Sequence, residues 1–228
     1  MRAFPFALSA LAVAAALALP AAAQAQLSFN IGAVSLYKSN GIDQDSRQGE
    51  RARDFRPALQ GGVDYDFGNG LYIGNWNSTG RFGQANLEIN LYGGYSGEFA
   101  NGMGFDVGYI TYLYPNSGGG WNGSEVYGSL SVGILTTKLS WGTSGVIDEH
   151  ARLSFLIEQP LTERLTLEAG VGFRNRQNFN TGATDYRFGL TYALTESLST
   201  SAIWSGADTD RAGQAGKGRL VLGLTQSF

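Results

Sequence analysis

From Gln26 to its last residue the chain is a succession of short segments in which apolar and polar residues alternate. Successive side chains of a β-strand point to opposite faces, so a two-residue period marks a strand with one apolar and one polar side. RLVLGLTQSF, the last ten residues, places Leu220, Leu222, Leu224 and Phe228 on one face, with Arg219, Gly223, Thr225 and Ser227 on the other. LSFNIGAVSLY sets Leu27, Phe29, Ile31, Ala33 and Tyr37 on one face. PALQGGVDYDF sets Leu59, Val63, Tyr65 and Phe67 against Gln60, Asp64 and Asp66. ANLEINLYGGYSG sets Leu87, Ile89, Leu91 and Tyr95 against Asn86, Glu88, Asn90 and Tyr92. FDVGYITYLY sets Phe105, Val107, Tyr109 and Leu113 against Asp106, Tyr112 and Tyr114. LYIGNWN is apolar on both sides, so its inner face is undecided. SEVYGSLSV, TTKLSWG, ARLSFLIEQ, RLTLEAGVGFR, DYRFGLTYAL and LSTSAIWSG complete a set of about twelve strands. Their lengths lie near the 9–11 residues or so that cross a bilayer as a tilted strand.

The links between segments carry a second period. Odd-numbered links are long and polar: KSNGIDQDSRQGERARDFR, STGRFGQ, PNSGGGWNG, TSGVIDEH, NRQNFNTGAT and GADTDRAGQAGKG. Even-numbered links are short: GNG, ANGMG, GIL, PLTER and TES. A soluble β-sandwich has no reason to sort its links by parity. An outer-membrane barrel does, with short periplasmic turns and long extracellular loops around an even number of strands. The expected fold is therefore all-β: a transmembrane antiparallel β-barrel of about twelve strands.

The front of the chain reads differently. Arg2, the apolar run ALSALAVAAALAL and the A-x-A site Ala23-Gln24-Ala25 have the layout of a signal peptide, cleaved before Gln26. Pro20 closes the run short of the roughly 20 residues a membrane helix needs. Residues 1–25 are thus expected to direct export through the Sec pathway, and residues 26–228 to form the barrel. The exported part has no cysteine for a disulfide framework, and its slightly acidic balance lacks the basic footprint of a nucleic-acid binder. No later apolar run reaches the length of a helical span.

A closed barrel has to pair its last strand with its first, because an open edge in lipid leaves backbone groups unsatisfied. The terminal strand is therefore expected to be a structural seam. It also resembles the bacterial signal read by the barrel-assembly machinery: Phe228 and Gly223 fit, whereas Gln226 stands where an aromatic or aliphatic residue is usual. Outer-membrane lipid and lipopolysaccharide are the expected partners of the outer face.

Four stretches, PALQGGVDYDFGNGLYIGNW, LEINLYGGYSGE, FDVGYITYLYP and SEVYGSLSVG, resemble the proteobacterial TorF-type porin family. They span Pro57 to about Gly133. Near the front, YKSNGIDQ keeps that family's Tyr37, Gly41, Ile42 and Gln44, with Asn40 and Asp43 departing from it. The resemblance implies an outer-membrane barrel with a pore and brings no substrate.

Few constellations point to chemistry. The single histidine, His150, lies four residues before Ser154, but a hydrolase needs nucleophile, base and orienting group together. GQAGKG, at Gly213–Gly218, lacks the full phosphate-loop pattern and reads as a flexible loop. DQDSRQG starts like a calcium loop, but Arg47 and Gln48 take positions that need an oxygen ligand and a glycine. No catalytic, metal or cofactor site is expected, and the protein is read as a non-enzyme.

Polar residues alternating with the apolar ones fall on the inner face. The candidate pore-lining set is Lys38, Asp64, Glu88, Tyr92, Asp106, Tyr112, Glu125, Tyr127, Lys138, Arg152, Glu168, Arg174, Arg187 and Arg219. The basic members are expected mostly toward the outer half, most acids toward the periplasmic half, and Glu88 and Glu125 opposite most of the arginines. Such charges either line a conducting pore and set its selectivity, or pair across a narrow barrel and fill it. Tyr37, Trp141, Phe173, Tyr192 and Trp204 suit interfacial aromatic girdles. The leading expectation is passive diffusion of small polar solutes, with anions or zwitterions favoured at entry. The alternatives are a non-conducting anchor or loop-display barrel and, last, a lipid hydrolase.

Overall fold

A computed structural model describes residues 26–44, 54–175 and 183–228. Twelve antiparallel strands close into a barrel: β1 Gln26–Val34, β4 Ala58–Asp66, β5 Leu71–Phe82, β6 Ala85–Glu98, β7 Gly104–Leu113, β8 Gly123–Val132, β9 Leu135–Gly145, β10 Ala151–Pro160, β11 Leu165–Arg174, β12 Thr184–Ala193, β13 Leu198–Ala207 and β14 Arg219–Ser227. Two short strands, β2 Lys38–Ser39 and β3 Ile42–Asp43, form a separate hairpin in the first long link. Residues 1–25, expected to be a signal peptide, lie outside the described residues, as do most of DQDSRQG and of NRQNFNTGAT.

Closure runs through the last strand. β14 pairs with β1 from Asn30↔Ser227 to Val34↔Gly223, and Phe228 exchanges backbone hydrogen bonds with Phe29 at 2.9 and 3.2 Å. No edge is left to pair in hydrocarbon. Outside, the alternation produces an apolar belt: Phe29, Ile31, Leu91, Val107, Leu139, Phe188, Leu220, Leu222 and Leu224 are all exposed. An apolar surface that encircles a whole molecule matches a bilayer, not water.

The end carrying both termini is turned by side-chain oxygens. LTERL and LTESL make the same turn: Thr162 Oγ1 accepts from Arg164 N and Leu165 N, and Thr195 Oγ1 accepts from Ser197 N and Leu198 N. In GNG, Asp66 Oδ1 accepts from Gly68 N at 2.7 Å and Asn69 Oδ1 from Leu71 N at 3.0 Å. These are the local bonds that let threonine and Asx residues end a strand. Tyr95, Phe99 and Phe105 pack outside that end, as do Tyr65 and Phe67.

Two expectations about the far end change. STGRFGQ is not a link: β5 continues through Phe82 and β6 starts at Ala85, with a register shift between Thr79 and Phe82. The glycines and polar residues that read as a loop sit in a paired strand extension. GQAGKG is not a flexible loop either: Gly213–Gly216 form a 3-10 turn after a one-turn helix, α1, at Thr209–Ala212. The undecided strand LYIGNWN turns Tyr72, Gly74 and Trp76 inward, by register with Gly94, Tyr92 and Asn90. Its outward Asn75 and Asn77 bond to each other and to the carbonyls of Asn90 and Gly61, which is how two amides sit on the apolar side.

Candidate functional site: the barrel interior

The register places the strand-borne candidates on the inward face. Asp64, Glu88, Tyr92, Asp106, Tyr112, Glu125, Tyr127, Lys138, Arg152, Glu168, Arg174, Arg187 and Arg219 all alternate with the exposed apolar set. Lys38 reaches the interior from the β2–β3 hairpin.

One wall, β5 to β8, is built on a tyrosine–glycine lattice. Tyr72, Gly94, Gly108 and Tyr127 are consecutive cross-strand partners on β5, β6, β7 and β8. The two phenols lie over the two glycines: a Cβ on Gly94 would stand 2.5 Å from the Tyr72 hydroxyl, and one on Gly108 2.5 Å from that of Tyr127. Their hydroxyls meet at 2.6 Å, and Tyr72 also donates to Asp106 Oδ1 at 2.6 Å. Tyr92 likewise crosses Gly74 and donates to Asp64 Oδ1 at 2.5 Å. Lys138 Nζ lies 3.8 Å from the Tyr127 ring centroid, within cation–π range. The segments LYGGY and FDVGY thus supply rings and the gaps that receive them.

The other wall, β10 to β14, carries guanidinium groups. Arg152 grips Asp185 with two bonds, Nε to Oδ2 at 3.0 Å and Nη2 to Oδ1 at 2.7 Å. Arg187 pairs with Glu168 on the next strand, and Arg219 with Asp54 at 2.5 Å. Arg174 is the direct partner of Arg152 in the β10–β11 register. Asp185 joins the arginines in the half away from the termini, where Glu88 and Glu125 also lie. Interior carboxylates accompany the guanidiniums because an unpaired buried charge is costly. Sequence reading passed over Asp185, although it alternates with Tyr186 and Phe188 as an inward residue must.

Tyr37 does not belong to an outer girdle. β1 ends at Val34, Ser35 N bonds to Leu222 O at 2.8 Å, and the chain turns into the barrel. Tyr37 is buried among Ala58, Trp76, Phe82 and Ala85, edge-on to Trp76 with ring centroids 5.7 Å apart. Its hydroxyl donates to Glu88 Oε2 at 3.1 Å, while Asn90 donates to Glu88 Oε1 at 3.0 Å. Burial first, and then the Glu88 charge, push the Tyr37 phenol well above its usual range, so it stays a donor. Trp141, Phe173, Tyr192 and Trp204 do lie exposed on the outside.

The hairpin after Tyr37 turns on Asn40 and Gly41, both at positive φ, 47° and 73°. That is the primed turn for which Asn-Gly is the strongest short signal. KSNGID carries that signal at Asn40-Gly41. Gly41 also touches β13: a Cβ there would lie 2.1 Å from Gly206 O. Lys38 Nζ donates to the carbonyls of Ala215 and Lys217 at 3.1 and 3.0 Å, tying the hairpin to the 3-10 turn. Burial pushes the Lys38 ammonium down to about 8; Arg219 adds to the fall and Asp43 opposes it.

Below this hairpin is a cavity of about 560 Å³ whose lining includes Glu88, Tyr112, Glu125, Lys138, Arg152 and Arg174. Tyr112 donates to Glu125 Oε1 at 3.1 Å. Ser154, also on the lining, donates to Lys138 O at 3.4 Å.

A closed twelve-strand barrel, apolar outside and charged within, has the architecture of the porins. The chain matches the KdgM porin in complex with disordered oligogalacturonate at a TM-score of 0.59 and 10% identity, covering 88% of this chain and 99% of that one. It matches the NanC porin at 0.53 and 11%, covering 89% and 99%. Identities this low establish a shared fold. Residues 18–226 match the family described as bacterial protein of unknown function (Gcw_chp), and the chain belongs to that family. No curated protein sequence matches it.

Proposed function

We propose that the protein is an outer-membrane, porin-like channel for passive diffusion of small hydrophilic solutes, with selectivity set by its charged interior. The observation that carries this reading is an interior that is polar and not filled by its own side chains. The side chains of Arg152 and Arg187 keep 20% and 29% of their exposure although both are ion-paired. A lumen filled by its own side chains would leave them almost none. The inward residues from Asp64 to Arg219, with Lys38 at the mouth, are the pore lining in this reading, and the protein performs no catalysis. The oligogalacturonate in complex with the KdgM porin agrees with a hydrophilic solute.

The same reading assigns residues 1–25 to Sec export and the apolar belt to outer-membrane lipid and lipopolysaccharide. It assigns Phe228, bonded to Phe29 at the seam, to recognition by the barrel-assembly machinery. A second reading, a non-conducting anchor or display barrel, draws on the β2–β3 hairpin lodged in the mouth. Conductance of the purified protein in planar bilayers in potassium chloride separates the two. Discrete steps support the channel; a correctly folded barrel that passes no current overturns it.

A further inference from the structure

The interior guanidiniums are not all provided for. Arg152 and Arg174 are direct partners on β10 and β11, facing inward at one level. Like charges placed this way repel each other. Arg152 is held: it crosses Gly172, where a Cβ would collide with Nη2, and Asp185 on β12 takes it with two bonds. Further down the wall Arg187 has Glu168. Among the described residues the Arg174 guanidinium has neither an ion pair within 4.0 Å nor a side-chain hydrogen bond. Its strand end is nonetheless fixed. Arg174 N donates to Ala183 O at 3.2 Å, and Asn175 accepts from Ala151 N at 2.9 Å and donates to Glu149 O at 3.0 Å. Glu125 lines the same cavity from β8, two strands from Arg152, and its Oε1 accepts from Tyr112. Among the described residues the lining carries six cationic side chains and four carboxylates, and Glu168, outside the lining, neutralises Arg187. One positive charge is therefore in excess.

We propose that Arg174 is a transit site for small monocarboxylates, solutes with a single carboxylate on a short polar skeleton. A guanidinium presents parallel N–H donors that fit the two oxygens of a carboxylate. Such a group takes the donors that no protein oxygen uses, relieves the repulsion between Arg174 and Arg152, and cancels the one excess charge. A dianion overshoots that balance, a neutral solute gains nothing from it, and chloride cannot span the fork. The cavity volume of about 560 Å³ admits a solute of this size. This inference rests on the channel reading, and its test keeps the two apart.

The protein is reconstituted into planar bilayers, and its potassium chloride current is recorded while potassium lactate, or the neutral amide of the same skeleton, lactamide, is added. Lactate is expected to lower the current in a saturable way, and lactamide at the same concentration to leave it unchanged. Arg174→Gln should raise the half-blocking concentration of lactate at least about tenfold, the scale of a lost charge-assisted hydrogen bond. Arg174→Lys keeps the charge and loses the fork. It should keep the wild-type reversal potential in a potassium chloride gradient and still lose most of the block, which separates a guanidinium site from a merely positive lumen. Heat-dependent electrophoretic mobility reports whether each variant is assembled; if one is not, the wild-type comparison of lactate with lactamide decides. Equal effects of lactate and lactamide, or a block unchanged in assembled Arg174→Gln, overturn the carboxylate site and leave the channel standing. Absence of conduction overturns the channel, and the inference with it.

Discussion

The tyrosine–glycine lattice makes a quantitative claim about Gly108. In Gly108→Ala the new methyl would sit 2.5 Å from the Tyr127 hydroxyl and 2.6 Å from Cζ, so the phenol has to lift away. Three terms follow. The 2.6 Å contact with Tyr72 is lost, about 0.5–1.5 kcal/mol for a hydrogen bond. The Lys138 cation–π contact is lost, about 0.5–1 kcal/mol. The displaced ring leaves its rotamer well, about 0.5–1.5 kcal/mol. Against these, alanine is favoured over glycine in a strand by about 0.5–1 kcal/mol. The net expectation is destabilisation by about 1–3 kcal/mol. Where Tyr127→Ser has already removed the ring, the methyl still meets Gly93 O, a backbone atom, at 2.9 Å, so the same change should cost clearly less than in the wild type without becoming stabilising. A double-mutant cycle, read by tryptophan fluorescence during urea unfolding from lipid vesicles, should give a coupling near 2 kcal/mol. Equal costs in the two backgrounds would refute the lattice as an energetic unit.

Three further outcomes follow from the same geometry. Leu222→Arg puts a charge on the lipid face and should cost about 2–4 kcal/mol near the midplane, whereas Val221→Arg, facing the lumen, should assemble normally in a vesicle-folding assay. Gly41→Val meets both a positive φ of 73° and the Gly206 carbonyl, so the hairpin should detach, and single-channel conductance should rise. Lys38 is charged below about 8 and neutral above it, so anion preference should fall as pH rises from 7 to 9.5, with Lys38→Met flat in a reversal-potential titration. Because the folded value lies below the ordinary 10.5, the unfolded chain binds the extra proton between those values, and stability should rise with pH across that window.

Strand identity was legible because one physical rule, apolar outside and polar inside, repeats along the whole chain. Leu220, Leu222 and Leu224 declare their face without any tertiary knowledge. The rule failed where side chains satisfy each other rather than follow the pattern. Asn75 and Asn77 break the outer face because they bond to one another. Tyr37 keeps the parity of Leu27 and Phe29 but lies past Ser35, where the chain leaves the wall. For the interior, sequence supplied which residues face in, but not who meets whom. Asp185 was hidden by its ordinary place in an alternating strand, and its grip on Arg152 depends on neighbouring strands set by register. The reason for LYGGY was equally invisible. Its Gly94 is explained only by Tyr72, and Tyr72 becomes a neighbour only when β5 and β6 pair.

A wet, accessible lumen is the claim on which the functional reading depends, and the chain's lack of cysteine makes a direct measurement practical. Single cysteines would be placed at Val221, Thr225 and Ser201, which line the cavity, and at Leu220, Leu222 and Leu224, which face outward. A charged, water-soluble methanethiosulfonate would be added during current recording in planar bilayers. Reaction at 201, 221 and 225, with a stepwise fall in current and no effect at 220, 222 and 224, is the predicted result. Unreactive thiols at the three lumen positions in an assembled barrel would contradict the account.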